Sequence, residues 1–228
     1  MRLTIITVAF NDCKKLKITL DNLRSLKERN IEYILIDGGS QDGTFELAKT
    51  YSDVISKFVF EKDEGIYDAM NKGWALAKPD NFILFLGAGD TIVLLPDLEK
   101  LQKNTVFYGN VMVEGRGVFR SKLSIKLLIG NTLHHQALLI PKYLNPMPPF
   151  NCAYKIYADF DFNQRLYKSG VKFEFLDGFS SSAAADGVSY NLNINEMTSV
   201  VFKNFGLIAM IFSIIYLIYQ KINMNFFK

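Results

Sequence analysis

The sequence predicts an α/β protein with a mainly parallel sheet flanked by helices, followed by a hydrophobic C-terminal helix. Strand and helix patterns alternate through the first 115 residues. The predicted strands are continuous apolar runs, which is typical of parallel strands covered by helices on both faces. Near the C-terminus, residues 205–220 form a long run without a charged side chain.

The first half of the chain supplies four predicted strands and three predicted helices. The strands are LTIITVAF (3–10), EYILID (32–37), KFVFE (57–61) and FILFLG (82–87). The helices are expected at a leucine stripe of Leu16, Leu20 and Leu23 that ends near Asn30, from Thr44 onward, and from about Gly65 onward. Because strands and helices alternate, we expect the strands to be parallel.

The pattern is looser after Glu114. A turn at GRG (115–117) is followed by a strand in LHHQALLIP (133–141) and a loop at NPMPP (145–149). A last helix is expected in ADFDFNQRLYKSG (158–170), where Gly170 ends it. At 228 residues, this is one domain with an appended segment.

Composition narrows the classes of partner and compartment. The 26 basic and 23 acidic residues give a net charge of +3 and are mixed along the chain, so no basic stripe for nucleic acid is present. Cys13 and Cys152 are the only cysteines and form no zinc pattern, which fits a reducing compartment such as the cytoplasm. The apolar run at 3–10 is expected to be a buried strand, since it is too short for a signal peptide.

Polar residues are concentrated where the predicted strands end. These positions are 9–11, 37–44, 61–65 and 87–90. Open parallel sheets bind ligands at the carboxyl ends of their strands, so we expect the functional site there.

Asp37 ends the second predicted strand and opens DGGSQDGT. One interpretation is a simple turn, with glycines that tolerate positive φ and with Asp42 or Thr44 capping the next helix. The other is that Asp37 accepts hydrogen bonds from a nucleotide base or ribose while the glycines let the ligand approach the backbone.

The negative charge of a phosphate ligand would have to be neutralised here without a glycine-rich phosphate-binding loop. No G-x-G-x-x-G follows the first strand, and no P-loop occurs in the chain. Asp90, which follows an apolar strand and small residues, is therefore the candidate ligand of a divalent metal. The alternative is that Asp90 caps the segment that follows it.

The stretch DEGIYDAMNKG (63–73) predicts a helix with two faces. Asp68, Asn71 and Lys72 share a polar face, which is either ligand-facing or a solvated Asp68 to Lys72 ion pair worth about 0.3–0.5 kcal/mol. Asp63 and Glu64 lie at the helix N-terminus, where its dipole favours acidic residues. The apolar stripe is expected to contain Ile66, Ala69, Met70, Gly73, Trp74 and Ala77.

Asp159 and Asp161 are two residues apart in the last predicted helix. They point about 200° apart, so they cannot both act on one reacting centre. Asp159 is either a helix N-cap or a general base that takes a proton from a hydroxyl. His134 and His135 lack a third zinc ligand nearby, which leaves packing or a phosphate or metal contact.

The uncharged run at 205–220 has three interpretations. It is flanked by Lys203, Lys221 and Lys228 and falls a little short of the roughly 18 apolar residues of a spanning helix. A membrane-surface anchor is the first expectation. The alternatives are a helix buried in a partner or against the main core, and a short tilted span.

Seven motifs occur in the order seen in family 2 glycosyltransferases of the GT-A fold. They are TIITVAFN, IDGGSQDGT, DEGIYDAMNKG, FLGAGD, HHQAL, ADFDFNQRLYKSG and DGVS. Over about residues 1–190 the chain resembles this family, most of all the bacterial subgroup that builds capsular and exopolysaccharide units, including colanic-acid-type enzymes. The resemblance implies a donor-binding half at about 1–115, an acceptor half at about 116–190 and a hydrophobic tail at 191–228.

The same resemblance implies roles for individual residues. A nucleotide-diphosphate sugar is the implied donor, with Asp37 near its base and Asp90 on Mg²⁺ or Mn²⁺. Asp159 is implied as the base that deprotonates an acceptor hydroxyl, with inversion at the anomeric carbon. The other implied donor-site residues are Thr7, Ala9, Asn11, Gly39, Ser40, Asp42, Asp68, Asn71, Lys72, Ala88 and Gly89. Residues implied beside the diphosphate or acceptor are His135, Gln136 and Asp161.

Two positions depart from the family's pattern. Ala88 stands where Asn or Asp is usual, two residues before Asp90, so Asp90 has no local carboxylate partner. Ala158 stands where Glu often precedes the base, so Asp159 lacks that neighbour.

The expected function is inverting sugar transfer to a saccharide hydroxyl in cell-surface polysaccharide biosynthesis. A polyprenyl-linked acceptor fits a membrane-seated tail, so the enzyme is expected in the cytoplasm, on the inner face of the plasma membrane. One alternative is an inactive binding or scaffold protein of this fold, which Ala88 and Ala158 leave open. The other is a sugar nucleotidyltransferase, which would need a basic, Gly-rich loop after the first strand.

Overall fold

The structure is a computed structural model that describes residues 2–26, 31–145, 147–184 and 193–226, with side chains of the last helix described to residue 219. Nine strands and five α-helices lie within these ranges. The motif DGVS at 186–189 and the expected helix end near Asn30 lie outside the described residues.

The first four strands form the parallel half of the sheet. They are β1 (Leu3–Ala9), β2 (Glu32–Asp37), β3 (Lys57–Phe60) and β4 (Phe82–Gly87). β1 lies at the centre between β2 and β4, and β3 pairs with the outer side of β2. All three pairings are parallel, so the prediction for the first half is confirmed. The helices between these strands are α1 (Cys13–Ser25), α2 (Thr44–Lys49) and α3 (Ile66–Leu76).

The second half extends the same sheet in mixed directions. Its strands are β5 (Thr91–Leu94), β6 (Thr105–Val113), β7 (Gly117–Phe119), β8 (Leu138–Pro141) and β9 (Lys172–Ala183). The strand order is β3-β2-β1-β4-β8-β6-β9-β5, with β7 paired to β6. β8 is antiparallel to both β4 and β6, whereas β6 and β9 are parallel. The strand expected at 133–141 begins only at Leu138, because His135–Ala137 form a 3₁₀ turn.

Two hydrophobic layers cover the sheet. One contains α1 and α2, and the other contains α3 together with α4 (Ala158–Lys168) and α5 (Ile194–Phe226). In the second layer Trp74 is fully buried, stacks on Phe85 with ring centroids 6.1 Å apart, and meets Phe162 edge-on. This aromatic group fixes α3 against β4 and α4.

The helix in the DEG stretch is α3, and its apolar stripe is confirmed in part. Gly65, with φ of 125°, precedes its first turn. The side chains of Ala69, Met70 and Trp74 are buried as expected. The prediction was wrong for Ile66, which is 37% exposed, because the helix turns Tyr67 into the protein in its place.

α5 is divided by a break at Gly206, where φ is 79° and ψ is −173°. Before the break, Met197, Val200 and Val201 are buried against the core. Within the run 205–220, Ser213 is fully buried and donates to the carbonyl of Ile129 at 2.7 Å, so one face of that run packs against the core. By length and composition, Ile194–Tyr219 is the described helix that could cross a membrane. After the break the exposed apolar side chains are Leu207, Ile208, Ile211, Phe212, Ile214, Ile215, Ile218 and Tyr219.

Candidate active site

The loops after β1 and β2 are joined at the carboxyl edge of the sheet. The N–H of Gly38 donates to the carbonyl of Ala9 at 3.0 Å. The N–H of Asn11 donates to Ser40 Oγ at 2.7 Å, and Asn11 Oδ1 accepts the N–H of Gln41 at 2.9 Å. Asn11 adopts a φ of 51°, which is uncommon outside glycine. The predicted residues Ala9, Asn11 and Ser40 therefore form one connected edge.

Asp37 lies at the end of β2 and is fully buried. Its Oδ1 accepts the N–H groups of Gly39 and Ser40 at 2.8 and 2.7 Å. Within the described residues its Oδ2 has no hydrogen-bond partner, and neither does Oγ1 of Thr7 on the adjacent strand. Buried polar atoms are normally paired, so Asp37 retains an oxygen that can accept a hydrogen bond from a ligand.

Asp42 has a capping role, which corrects the expectation that it contacts the donor. Its Oδ1 accepts the N–H and hydroxyl of Thr44 at 3.2 and 2.6 Å, and its Oδ2 accepts the N–H of Cys13 at 2.8 Å. Burial raises the pKa of Asp42, but these bonds outweigh it and lower the pKa overall. Both oxygens thus stabilise the first turns of α1 and α2.

The start of the DEG stretch lies directly against the Gly38 loop. A Cβ on Gly38 would be 2.5 Å from Oδ2 of Asp63 and 3.3 Å from the ring of Phe10. The other oxygen of Asp63 accepts the N–H of Gly65 at 2.9 Å, which holds the carboxylate at the helix start. A side chain at position 38 would therefore have to displace this carboxylate.

Lys72 is held on the polar face of α3 by acidic groups. Its Nζ lies 3.3 Å from Asp68 Oδ2 and 2.9 Å from Glu61 Oε1, and it donates to the carbonyl of Lys62 at 3.1 Å. The predicted Asp68 to Lys72 contact is present. It fixes the ammonium group beside the loop that follows β3.

Asn71 lies apart from that group, contrary to the expectation of one donor-facing trio. Its Nδ2 donates to the carbonyl of Phe150 at 2.8 Å, and its Oδ1 accepts the N–H of Phe150 at 3.0 Å. Nδ2 also lies 3.4 Å from Cys152 Sγ. Asn71 therefore joins α3 to the loop before α4.

Asp90 follows β4 and is 3% exposed. Its Oδ2 accepts the N–H of Gly87 at 2.6 Å, and its Oδ1 accepts the N–H of Ala184 at 3.0 Å. Burial raises its pKa, and hydrogen bonds from these groups and from Gln136 only partly oppose the rise. Beside it, Ala88 is half-buried, and Gly89 has a φ of 95° that shapes the turn.

The segment HHQ connects the two predicted functional carboxylates. His134 Nδ1 contacts Gln136 Oε1, and His135 Nδ1 lies 3.2 Å from Asp159 Oδ2. Gln136 and His135 also lie close enough to Asp90 to oppose the rise in its pKa. The HHQ segment therefore lies beside both carboxylates.

Asp159 lies in the first turn of α4 rather than at its N-cap, which is Tyr157. Its Oδ1 accepts the N–H of Phe160 at 2.7 Å and lies 3.4 Å from the hydroxyl of Tyr67. Burial raises the pKa of Asp159, but the hydrogen bond and charge of His135 outweigh it and lower the pKa overall. The carboxylate is therefore ionised at neutral pH and can accept a proton.

Asp161 was expected beside the diphosphate or acceptor, and the structure places it elsewhere. It is 1% exposed and bonds to Arg165 Nε at 2.8 Å and to Asn204 Nδ2 at 3.0 Å. Because it points away from Asp159 on the helix, as the spacing predicted, it joins α4 to α5 instead.

Two residues near Asp159 were missed by the sequence analysis. Tyr67 donates to the carbonyl of Ile156 at 2.5 Å and approaches Asp159. Glu196 on α5 accepts the N–H groups of Ile156 and Tyr157, both at 2.7 Å. The sequence contains no sign of the role of Tyr67, because the expected apolar stripe of α3 contained Ile66 in its place.

The described residues also bear on metal binding. Among them, no group of three or more His, Cys, Asp or Glu side chains could hold a metal ion alone. Asp90 supplies one buried carboxylate whose oxygens each accept one hydrogen bond, which leaves further lone pairs. Such a set fits a cation that takes most of its ligands from substrate phosphates and water.

Comparison with known proteins identifies the family. The profile described as Glycosyl transferase family 2 matches residues 4–164. The chain belongs to glycosyltransferase family 2. The matched span of this glycosyltransferase includes Asp37, Asp90, His135 and Asp159.

Relatives of this glycosyltransferase occur in several bacteria. A PGL/p-HBAD biosynthesis glycosyltransferase of Mycobacterium bovis is 29% identical over 182 residues, which cover 73% of this chain and 70% of the relative. A cholesterol galactosyltransferase of Borreliella burgdorferi is 27% identical over 163 residues, which cover 70% of this chain and 43% of the relative. These names do not refer to capsular polysaccharide, so that subgroup stays a prediction.

Solved structures confirm the fold of the glycosyltransferase. TarS 1-349 of S. aureus in complex with UDP superimposes with a TM-score of 0.65 at 18% identity and covers 90% of this chain and 67% of that one. Glucosyl-3-phosphoglycerate synthase of Mycobacterium tuberculosis, in complex with Mn²⁺, UDP and glucosyl-3-phosphoglycerate, gives 0.59 at 15% identity and covers 88% and 76% of the two chains. The GT-A prediction is therefore confirmed.

Proposed function

We propose that this glycosyltransferase moves a sugar from a nucleotide-diphosphate sugar to an acceptor hydroxyl, with inversion at the anomeric carbon. The observation that carries the proposal is the 3.2 Å contact of His135 Nδ1 with Asp159 Oδ2. The same HHQ segment lies close to Asp90, because His135 and Gln136 both oppose the rise in the pKa of that carboxyl. A base for the acceptor and a carboxylate that can hold a cation for the leaving diphosphate thus lie beside one short segment.

Donor binding is assigned to the carboxyl edge of β1 and β2. Asp37 has an oxygen without a partner among the described residues, and its other oxygen orders the adjacent loop by accepting the N–H groups of Gly39 and Ser40. Thr7, Ala9 and Asn11 border the same edge. Solved structures that share the fold contain UDP, or GDP-mannose with Mn²⁺, which supports a nucleotide-sugar donor.

Asp90 is assigned to a divalent cation, Mg²⁺ or Mn²⁺, shared with the donor diphosphate. When bound, the cation would offset the negative charge that develops on the leaving diphosphate. Ala88 removes the second local carboxylate, so we expect the cation to bind weakly without nucleotide and more tightly with it.

The transfer step uses Asp159 as the base. The acceptor oxygen forms a bond to the anomeric carbon while the bond from that carbon to the diphosphate oxygen breaks. The hydroxyl proton goes to Asp159, and the nucleoside diphosphate leaves from the opposite face, which inverts the configuration. His135 holds the ionised carboxylate in place through its 3.2 Å contact.

The acceptor is assigned to the lipid-linked class, with the enzyme on the cytoplasmic face of the plasma membrane. The exposed apolar side chains after Gly206 form a surface that suits a lipid bilayer. One relative is named as a cholesterol galactosyltransferase, and a sterol acceptor is held in a membrane, which supports this assignment. Cell-surface polysaccharide biosynthesis is the setting that we propose for it.

The Asp159→Asn variant tests the reaction. Nucleoside diphosphate release from UDP-glucose, UDP-galactose, UDP-N-acetylglucosamine and GDP-mannose first identifies the donor. With that donor, we expect Asp159→Asn to lower kcat about 10²- to 10⁴-fold, while UDP affinity measured by calorimetry is unchanged. Asp177→Asn, at an exposed carboxylate, is the matched control. Undiminished turnover in Asp159→Asn would refute the base assignment, and no turnover by the wild type with any donor would favour the inactive scaffold.

Chelation tests the cation. EDTA should abolish turnover, and added Mn²⁺ or Mg²⁺ should restore it in the wild type. Asp90→Asn should need a higher cation concentration for the same rate, because the remaining ligands come from the diphosphate. Turnover that ignores EDTA would remove Asp90 from this role.

Liposome flotation tests the membrane surface. A chain ending at Gly206 keeps Met197, Val200 and Val201, whereas a cut at 203 would also remove Asn204 and its bonds to α4. We expect the chain ending at Gly206 to lose binding to phosphatidylcholine–phosphatidylglycerol vesicles. The triple variant Ile208→Ser, Ile211→Ser, Ile215→Ser should behave likewise, and Met112→Ser, Val118→Ser should not. Unchanged flotation after the truncation would exclude the anchor.

A further inference from the structure

The N-terminus of α4 is held from the C-terminal helix. Glu196, in the first turn of α5, accepts the N–H of Ile156 and the N–H of Tyr157 with the same oxygen, both at 2.7 Å. These residues directly precede α4, so their N–H groups lie at its amino end. A carboxylate there forms charge-assisted bonds and complements the helix dipole.

The same peptide segment is held from the opposite side by α3. The carbonyl of Ile156 accepts the hydroxyl of Tyr67 at 2.5 Å, and that hydroxyl also lies 3.4 Å from Asp159 Oδ1. The N–H and the carbonyl of Ile156 are therefore held from two different helices, by Glu196 and by Tyr67. Asp159 follows three residues later, in the first turn.

Glu196 is itself rigidly supported. Its N–H is bound by Asn193 Oδ1 at 3.1 Å, and Met197, next to it, is 5% exposed. One turn before the break, Asn204 donates to Asp161 Oδ1 and Gln164 Oε1, both at 3.0 Å. The helix before Gly206 is thus attached to α4 at both of its ends, and a group on such a support places its partners accurately.

We propose that Glu196 is a positioning residue for sugar transfer, which sets the start of α4 so that Asp159 meets His135 and the acceptor hydroxyl. The inference rests on the proposed role of Asp159 as the base. With this role, the part of α5 before Gly206 is a component of the active site. The exposed apolar side chains lie on the part of the same helix that follows Gly206.

The experiment compares Glu196→Ala, Glu196→Gln and Asn195→Ala. Glu196→Gln keeps an acceptor oxygen in place, and Asn195 is an exposed neighbour on the same helix whose side chain makes no described contact. The rate of nucleoside diphosphate release is measured with the preferred donor of the four named above. UDP affinity and the thermal unfolding midpoint are measured on the same proteins.

We expect Glu196→Ala to lower kcat about 10- to 100-fold with UDP affinity changed by less than about twofold, since a small displacement of a reacting group costs this much. Glu196→Gln should recover most of the rate, and Asn195→Ala should match the wild type. A kcat for Glu196→Ala within about twofold of the wild type, in a preparation where Asp159→Asn is inactive, would overturn the inference alone. Equal losses in Glu196→Ala and Glu196→Gln would also overturn it. An active Asp159→Asn would instead refute the proposed function.

Discussion

Nδ1 of His135 lies 3.2 Å from Oδ2 of Asp159, and this contact joins a turn before β8 to the first turn of α4. It stabilises the ionised form of a carboxylate whose burial favours the neutral form. The contact therefore controls both where the base lies and whether it is ionised.

Replacement of His135 by alanine should raise the pKa of Asp159 and remove the contact that holds its carboxylate in place. Burial raises the carboxyl pKa, and nothing from position 135 would then oppose it. We expect kcat to fall at least about tenfold and the acid limb of the kcat/KM profile to move to higher pH. His135→Asn keeps a donor near the carboxylate and should recover part of the rate. An acid limb that stays in place would contradict this role.

Gly38→Ala should disturb the donor edge through Asp63. The new Cβ would lie 2.5 Å from Asp63 Oδ2, so the carboxylate must move. We expect weaker UDP binding and a lower unfolding midpoint. In an Asp63→Ala background the same change should cost less, with a coupling energy of about 0.5–3 kcal/mol in a double-mutant cycle. Additive effects in the four proteins would show that this contact is not the cause.

Gly73→Ala should destabilise the protein. A Cβ at position 73 would lie 2.3 Å from Cγ2 of the buried Ile6, so α3 must move away from β1. We expect overpacking to cost about 1–3 kcal/mol, which exceeds the gain of up to about 1 kcal/mol from better helix propensity. Denaturant unfolding measures the difference. Gly178→Ala, where a Cβ meets nothing within 4 Å, should leave stability nearly unchanged.

His134 should make the fold sensitive to mild acid. Burial lowers its pKa from 6.5 to about 4. Between these two values the unfolded chain binds a proton at His134 that the folded protein does not. The free energy of unfolding is therefore not reduced by His134 above pH 6.5, and it decreases as the pH falls toward 4. Thermal unfolding across this window should show a smaller decrease for His134→Gln than for the wild type. Identical slopes would assign the acid sensitivity to other groups.

The first half of the fold was predictable because its information is local. Each of the strands β1 to β4 is an apolar run that ends in polar or small residues, and this pattern marked both the strands and the edge where Asp37 and Asp90 lie. The position of Asp159 followed from the resemblance, and the opposite direction of Asp161 followed from helical geometry.

The strands β6 and β9 were missed because their sequences look like turns. Gly109 lies inside β6, and glycine is needed there because a Cβ would be 2.0 Å from the carbonyl oxygen of Phe179 on the paired strand. Asp177 and Gly178 lie inside β9, close to a register shift in the pairing with β6. Only the partner strand explains these residues, and a single sequence does not contain that information.

Glu196 could not be recognised from the sequence for a similar reason. It is an ordinary glutamate in the first turn of a helix, where the helix dipole alone would explain it. Its role depends on two N–H groups about 40 residues earlier in the chain. Tyr67 was missed for another reason. Its burial depends on the exact rotation of α3 about its axis, and the expected apolar stripe had placed Ile66 on the buried face.

The break in α5 at Gly206 separates two segments that face different evolutionary constraints. Residues before it bond to α4 and to the two residues that precede α4, so a change there must be compensated elsewhere. After it, Ser213 still donates to the carbonyl of Ile129, whereas outward side chains such as Ile208 and Ile215 are exposed. We therefore expect the outward face of the terminal segment to drift among apolar residues, while its inward face and the part of α5 before the break keep their contacts.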